Sequence, residues 1–275
     1  MTSAPWYTTR GFGREDTPMI VTTVDRTALE TKVKEMYTNV AANPSGTFHF
    51  EMGRAMAERL GYAPADLDRV PQDAIDSFAG VGYFFHLADL QPGEQVVDLG
   101  SGSGMDTFVA SLKVGPSGRV VGVDMTDAQL AKAARLARNA HVENITCRKA
   151  YIEDTGLDAD MFDCVISNGV INLAADKLRV FQEAARLLKS GGRLAIADII
   201  TEKPLPESVV CNTDLWAACI GGAAQQDEYT AAIDRAGLRV ERIEDNPQYQ
   251  FLSDNARSAT AKWGVKSVSI LARKL

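Results

Sequence analysis

From Gln91 onward, short apolar runs alternate with longer stretches whose apolar residues recur at helical spacing, the signature of a parallel sheet with crossover helices. The runs predict strands at Gln95–Asp98, Arg119–Asp124, Ile145–Lys149, Phe162–Asn168 and Arg193–Ile199. The stretches between them predict helices at about Asp106–Val114, Asp127–Ala140 and Lys177–Leu188. Lys189-Ser190-Gly191-Gly192 reads as a helix stop with a glycine turn. Five such β-α steps fit one doubly wound sheet. Beyond them, Leu205–Gly222 reads as helical and over the sheet's edge, Asp227–Ala236 as a helix, Val240–Asp245 as a strand, and Ser267–Arg273 as a final strand able to pair antiparallel with its neighbour.

Before Gln91 the rhythm differs. Residues 1–25 hold no steady period and read as an arm. Thr27–Val40 reads as a helix, with Thr27 as N-cap, Glu30 completing a capping box, and Leu29, Val33, Met36 and Tyr37 at helical spacing. Asn43-Pro44-Ser45-Gly46 ends it. Met52–Leu60 is a second helix, and Asp66–Val70 a single turn within the polar stretch Ala63–Gln72.

Composition narrows the function. The 275 residues are 45% hydrophobic and 24% charged, ordinary for a globular chain. A formal net charge of −7, with no run of five or more Lys/Arg, argues against nucleic acid as partner. Met1–Asp25 lacks a signal-peptide core, and nothing later approaches bilayer length, so a cytoplasmic location with no membrane partner is expected. The four cysteines, Cys147, Cys164, Cys211 and Cys219, form no CxxC pair. Neither a zinc knuckle nor a redox motif is indicated, and no metal is expected.

Candidate chemistry gathers at the predicted strand tips. Val96-Val97-Asp98-Leu99-Gly100-Ser101-Gly102-Ser103-Gly104 sets a strand directly before glycines at alternate positions, where an open α/β sheet binds ligands. The rival is a dinucleotide GxGxxG fingerprint. GxGxG with a carboxylate two residues earlier better suits a ligand carrying an amino-acid ammonium and carboxylate. Asp124, at the neighbouring tip, can accept from both hydroxyls of a ribose, or else serve as a helix cap, and Met125 can cover an adenine face. In Ala150-Tyr151-Ile152-Glu153-Asp154, Glu153 can accept from an exocyclic adenine amine or face solvent. Asn168 and Asn172 end the fourth strand, where a reacting group would face them; turn chemistry is the other reading.

Together these residues resemble the class I S-adenosylmethionine methyltransferases over roughly Leu90–Lys203. The wording of Asp98–Asp106, Gly122–Thr126, Tyr151–Asp154, Ser167–Leu173 and Cys219–Ala223 looks like the arsenite methyltransferase branch. That resemblance implies a Rossmann-like methyltransferase fold: a doubly wound, mostly parallel seven-stranded α/β sheet with an N-terminal helical addition. It implies an arm at 1–25, a helical cap over cofactor and acceptor at 26–90, and a methyltransferase domain at 91–275 with an acceptor-side insertion near 203–226. The cofactor S-adenosyl-L-methionine would fall on Tyr37, Asp98, Gly100, Ser101, Gly102, Gly104, Asp106, Asp124, Met125, Ile152, Glu153 and Asn168. The branch holds trivalent arsenic on three cysteines, since soft thiolates suit a soft acceptor. Here two of those positions are Val81 and Gly169, and only Cys219 matches, so the resemblance carries the cofactor site and not the arsenic chelate.

Methyl transfer from a sulfonium needs positioning and a dry site, and a base only where the acceptor keeps its proton. Catalytic candidates are Tyr37, Asn168 and the two histidines in aromatic surroundings, His49 and His86. Acceptor candidates are Phe50, Phe85, Gly169, Asn172, Trp216 and Cys219; aromatics at such spacing are more often core than pocket, and Cys219 reads equally as a packed remnant. A small, partly apolar acceptor is expected. The alternatives are an arsenical acceptor held by fewer thiols and a cofactor-binding protein with a non-methylating role such as cyclisation.

Overall fold

The computed structural model describes residues 26–46, 48, 50–206, 209, 221–252 and 254–275. Seven strands form one sheet: β1 (Gln95–Leu99), β2 (Arg119–Asp124), β3 (Ile145–Lys149), β4 (Phe162–Asn168), β5 (Leu188–Ile200), β6 (Leu238–Asp245) and β7 (Lys266–Lys274). Their order is β3-β2-β1-β4-β5-β7-β6. The first five run parallel, and β7 lies antiparallel between β5 and β6. This is the doubly wound, mostly parallel sheet expected from the sequence. The strand order reverses between β1 and β4, which opens a crevice at their carboxyl ends.

Alternation along the strands builds the core on both faces. Val96, Val120, Ile166 and Ala195 pack with Phe108, Val109 and Leu136 on one face. Val97, Val165, Leu194 and Ile196 pack with Phe181, Ala184, Tyr229 and Ile233 on the other. The covering helices are α6 (Met105–Val114) and α7 (Asp127–Asn139) on the first face, and α8 (Lys177–Leu187) and α9 (Gln226–Arg235) on the second. Before the sheet come α1 (Arg26–Ala42), α2 (Arg54–Leu60), α3 (Pro64–Leu67), α4 (Gln72–Asp76) and α5 (Phe85–Ala88), whose buried residues join the first face's core. A further helix, α10 (Asp254–Trp263), precedes β7. Among the described residues no helix is long and apolar enough to cross a membrane.

Three local readings are corrected. Helix α1 begins at Arg26, so Thr27 is inside it rather than its N-cap, and Glu30 turns to Lys34 and Tyr151 instead of closing a capping box. Lys189-Ser190-Gly191-Gly192 is no helix stop. Leu188 is already extended, at φ −70° and ψ 140°, and pairs with Phe162, so the glycines bend the entry of a longer β5. The single turn foreseen at Asp66–Val70 starts earlier, where Pro64 sets the first helical position. Of the helix expected over Leu205–Gly222, most lies outside the described residues, as does the arm at 1–25.

Candidate active site

A cavity of about 250 Å³ occupies the crevice. Its walls are the tips of β1 to β4, the first turn of α6, helix α1, and the segment Ala74–Gly80.

The β1–α6 loop forms the floor. Gly100, Gly102 and Gly104 all have positive φ, at 76°, 53° and 96°. Gly100 is the tightest: a Cβ there would sit 2.5 Å from both methyl groups of Val170. Asp124 braces this loop. Its Oδ2 accepts from the Gly102 amide at 3.0 Å and its Oδ1 from the Thr126 amide at 2.8 Å. Burial raises its pKa, against those two backbone bonds. Ser101 Oγ is buried without a hydrogen-bond partner, an atom that a ligand in the cavity can satisfy.

The β3 tip supplies Ala150, Tyr151, Ile152 and Glu153, and Met125 continues the wall from β2. Tyr37 lines the opposite wall from α1 and stacks on Phe50, ring centroids 6.3 Å apart. The Tyr37 carbonyl accepts from Gln129 Nε2 at 2.9 Å, and Ser103 Oγ donates to Gln129 Oε1. Gln129, which the sequence reading missed, thus ties α1 to the glycine loop.

At the β1/β4 end sits a buried polar cluster. Tyr62 donates to Asp106 Oδ1 at 2.5 Å, and Asn168 Nδ2 donates to Asp106 Oδ2 at 3.0 Å. Asn168 also grips the chain at Val81 and Gly82: its Oδ1 accepts from both amides, at 2.7 and 3.3 Å, and its Nδ2 donates to the Gly82 carbonyl at 3.0 Å. Asp98 is equally buried and accepts from Thr107 Oγ1 at 2.6 Å. Burial, and for Asp98 the charge of Asp106 beside it, raises both carboxyls well above the ordinary range. Tyr62 was invisible in the sequence because its partner lies 44 residues away and neither belongs to a shared motif.

Tyr37, Asp98, Gly100, Ser101, Gly102, Asp106, Asp124, Met125, Ile152, Glu153 and Asn168 therefore line one cavity. Gly104 does not; it caps the start of α6 behind the loop. The acceptor and base candidates are more scattered. The His86 side chain is 44% exposed, stacks on Tyr83, and lies 2.7 Å from Glu244 Oε2 on β6, away from the cavity. Phe85 is packed in the core against Tyr62 and Phe84. Asn172 is fully buried in a 3-10 turn, Ile171–Leu173, and is not on the lining. Gly169, also off the lining, has φ +69°, and a Cβ there would lie 3.1 Å from Val81 Cγ1. His49, Trp216 and Cys219 lie outside the described residues.

The lining carries five carboxyl groups, from Glu30, Asp98, Asp106, Asp124 and Glu153, and among its described residues no Lys, Arg or His. Such a cavity repels a pyrophosphate and complements a cation. Among the described residues no group of three or more His, Cys, Asp or Glu side chains is arranged to hold a metal ion.

Comparison with known proteins agrees with this geometry. A family model described as a methyltransferase domain matches residues 90–237. The arsenite methyltransferase of Halobacterium salinarum is 39% identical over 199 residues, which is 72% of this chain and 51% of that protein. The chain thus spans about half the length of this curated relative. Among solved structures, an arsenic(III) S-adenosylmethionine methyltransferase from Chlamydomonas reinhardtii superposes with a TM-score of 0.60 at 31% identity, covering 81% of this chain and 74% of that one. A geranyl diphosphate methyltransferase in complex with geranyl diphosphate and sinefungin, 18% identical with a TM-score of 0.66, covers 90% of this chain and all (100%) of that one, and shares the fold.

Proposed function

We propose that this chain, which belongs to the S-adenosylmethionine-dependent methyltransferase family, transfers the donor's methyl group to a small, partly apolar acceptor without holding arsenic on a set of thiols. The observation that carries the acceptor half is the contact between Val81 and Gly169. These two positions, where the arsenite branch has cysteines, face each other at the β4 tip and carry a valine and a bare backbone. The cavity wall nearby is formed by Phe78, Val170, Leu173 and Ala174, which offer an apolar surface and no soft ligand.

The donor half rests on the fit of the cavity. S-adenosylmethionine, when bound, supplies an electrophilic methyl group on a positively charged sulfur. Asp124, held by two backbone amides, would take the ribose, and Ile152 with Glu153 the adenine. Ser101 and the close-packed Gly100 would meet the amino-acid end, with Asp106 adding negative charge to the cavity, while Asp98, raised to about 8 by burial and by Asp106 beside it, holds its proton at neutral pH. The protein's share of an in-line displacement is then to fix donor and acceptor within ~3–3.5 Å and to keep water out. His86 points away from the cavity and is not needed as a base in this reading.

The test is to incubate the protein with S-adenosylmethionine and a panel of phenols, thiols, amines, arsenite and methylarsenite. S-adenosylhomocysteine and products are then followed by mass spectrometry. Methylation of an organic acceptor is expected. Methylated arsenicals as sole products, lost in Cys219→Ser, would replace this reading with an arsenic acceptor, which kinship alone favours. Donor binding without turnover on any acceptor would point to a non-methylating role.

A further inference from the structure

Helix α8 opens on a cation, Lys177, although the dipole of a helix disfavours positive charge at its start. Capping does not explain the residue, because Asp176 already fills that role by accepting from the Arg179 amide at 3.2 Å. The Lys177 side chain instead turns back and donates to the Ala174 carbonyl at 3.0 Å. Its ammonium lies within electrostatic reach of Asp198 on β5, Asp176 in the same turn and Glu153 after β3, and burial brings it down to about 8. Asp198 accepts in turn from the Tyr229 hydroxyl, the Ile199 amide and the Asn172 amide. Neither Lys177 nor Asp198 lines the cavity, yet both grip the segment that does. Val170, Leu173, Ala174 and Ala175 form the wall beyond the β4 tip, and the bonds to Asn172 and Ala174 tie that wall down from behind. Apolar side chains of the same volume generally serve stability as well as a buried ion pair does, so the use of this pair lies in what it holds.

We propose that Lys177 and Asp198 are positioning residues for methyl transfer: from behind the cavity they hold segment 170–175 where the acceptor meets the donor's methyl group. The inference rests on the reading of the chain as a methyltransferase of a small, partly apolar acceptor. In that reading the donor is held chiefly from the β1, β2 and β3 tips, and the apolar wall after β4 faces the acceptor. A displaced wall leaves the donor bound but spoils the approach of the two reactants, and a misplacement of about 1 Å costs about 100-fold in rate. The charge on Lys177 makes the grip firm, because a charge-assisted hydrogen bond is roughly twice as strong as a neutral one. Turnover therefore falls as the ammonium loses its proton. Stability runs the other way. A lysine whose pKa is lowered in the fold costs stability in full below about 8, and that cost is relieved as pH rises toward the unfolded value near 10.4.

The test follows S-adenosylhomocysteine formation from S-adenosylmethionine, with thiophenol, catechol and aniline as acceptors, from pH 7 to pH 9.5. Donor affinity is read by calorimetry and folding by thermal melting at each pH. The acceptor that turns over is kept throughout, and its own ionisation cancels when two proteins are compared. The wild type is expected to lose turnover in a step near pH 8. Lys177→Arg, charged at every pH used, is expected to keep turnover at pH 7 within about threefold and to lack that step. Asp98, raised into the same range, titrates alike in both proteins and drops out of the comparison. Lys177→Met is expected to lower kcat about tenfold or more at pH 7, with donor affinity kept within about threefold. Tyr229→Phe takes one donor from Asp198, weakens the support of the ammonium, and should move the step to lower pH; it decides the matter if the Lys177 variants fail to fold. Identical pH profiles for the wild type and Lys177→Arg would overturn the inference. So would a step unmoved in Tyr229→Phe, or a Lys177→Met defect confined to donor affinity, which would place the effect at Glu153. If the donor binds and none of the three acceptors turns over, the acceptor reading itself falls and takes the inference with it.

Discussion

Asp124 puts one carboxylate to two uses. Each oxygen accepts a backbone N–H, from Gly102 and Thr126, and thereby shapes the loop, while the lone pairs left over face the cavity. Asp124→Ala should therefore weaken S-adenosylmethionine binding by roughly 1–3 kcal/mol, the scale of lost charge-assisted hydrogen bonds, measured by calorimetry; unchanged affinity would move the ribose elsewhere. Gly169 makes the opposite kind of prediction. Its φ of +69° and the 3.1 Å approach to Val81 penalise any side chain, so Gly169→Ala should cost about 1–2 kcal/mol in denaturant unfolding. Equal stability would mean that the 81–82 segment yields easily. At this scale the sequence was readable wherever chemistry is local: Asp98, the glycines and Asp124 sit at strand ends within a few residues of one another. It was silent on Tyr62 and Gln129, whose partners come from distant segments. It also misplaced Phe85 and His86, because an aromatic cluster in sequence does not say which member faces the core, the cavity or solvent. Phe85 went to the core and His86 to Glu244.

Helix α1 forms one wall of the cavity and is held there by polar contacts at three heights. Near its start Glu30 accepts from Tyr151 at 2.6 Å, with Lys34 3.0 Å from the same hydroxyl; in the middle the Tyr37 carbonyl takes Gln129; near its end the Ala41 carbonyl takes Lys132 Nζ at 3.1 Å. The hydrogen bond between Lys34 and Glu30, and after it the Tyr151 hydroxyl that both share, lowers the carboxyl and raises the ammonium from their usual values. Removing one tie at a time should loosen the helix without unfolding the sheet. In Tyr151→Phe and Gln129→Ala, α1 amides should exchange hydrogen faster, by about tenfold, while β1 and β4 amides keep their protection. Uniform acceleration across the chain would mean global destabilisation instead. The elements themselves divide in the same way between readable and hidden. All seven strands stood out because β-branched apolar runs bounded by turn residues have few other uses. Strand β5 was cut short because Lys189-Ser190-Gly191-Gly192 carries the composition of a stop, although Leu188 before it already pairs with Phe162 and the four residues form an irregularity in the strand, with Gly191 at φ +75°, before pairing resumes at Arg193. The short helices α4 and α5 span too few turns to show a period, and in α10 the polar run Asp254–Trp263 hides one.

For the molecule as a whole, the buried acid at the centre of the second layer matters most. Asp198 is fully buried on β5, accepts from Tyr229 of α9 at 2.6 Å and from the Ile199 amide at 2.8 Å, and so joins the sheet to the helix that covers it. Burial pushes its carboxyl up to about 6, against the lowering by those bonds and by the Lys177 ammonium, itself brought down to about 8 by burial. The folded state therefore holds this proton more tightly than the unfolded chain. Asp198 costs nothing below the unfolded value near 3.9 and costs progressively more as pH rises through about 6, above which the penalty is complete. A shift of this size corresponds to at most ~2–3 kcal/mol. The carboxyls of Asp98, Asp106 and Asp124 are raised too and act in the same direction, so wild-type stability alone cannot isolate Asp198. The comparison with Asp198→Asn can, because the amide keeps an acceptor for Tyr229 and has nothing to titrate. In denaturant unfolding at pH 4 and pH 7.5, the variant should gain on the wild type by up to ~2–3 kcal/mol between the two conditions. A difference independent of pH would mean that Asp198 ionises in the fold as it does in water, and that Tyr229 and Lys177 offset its burial in full.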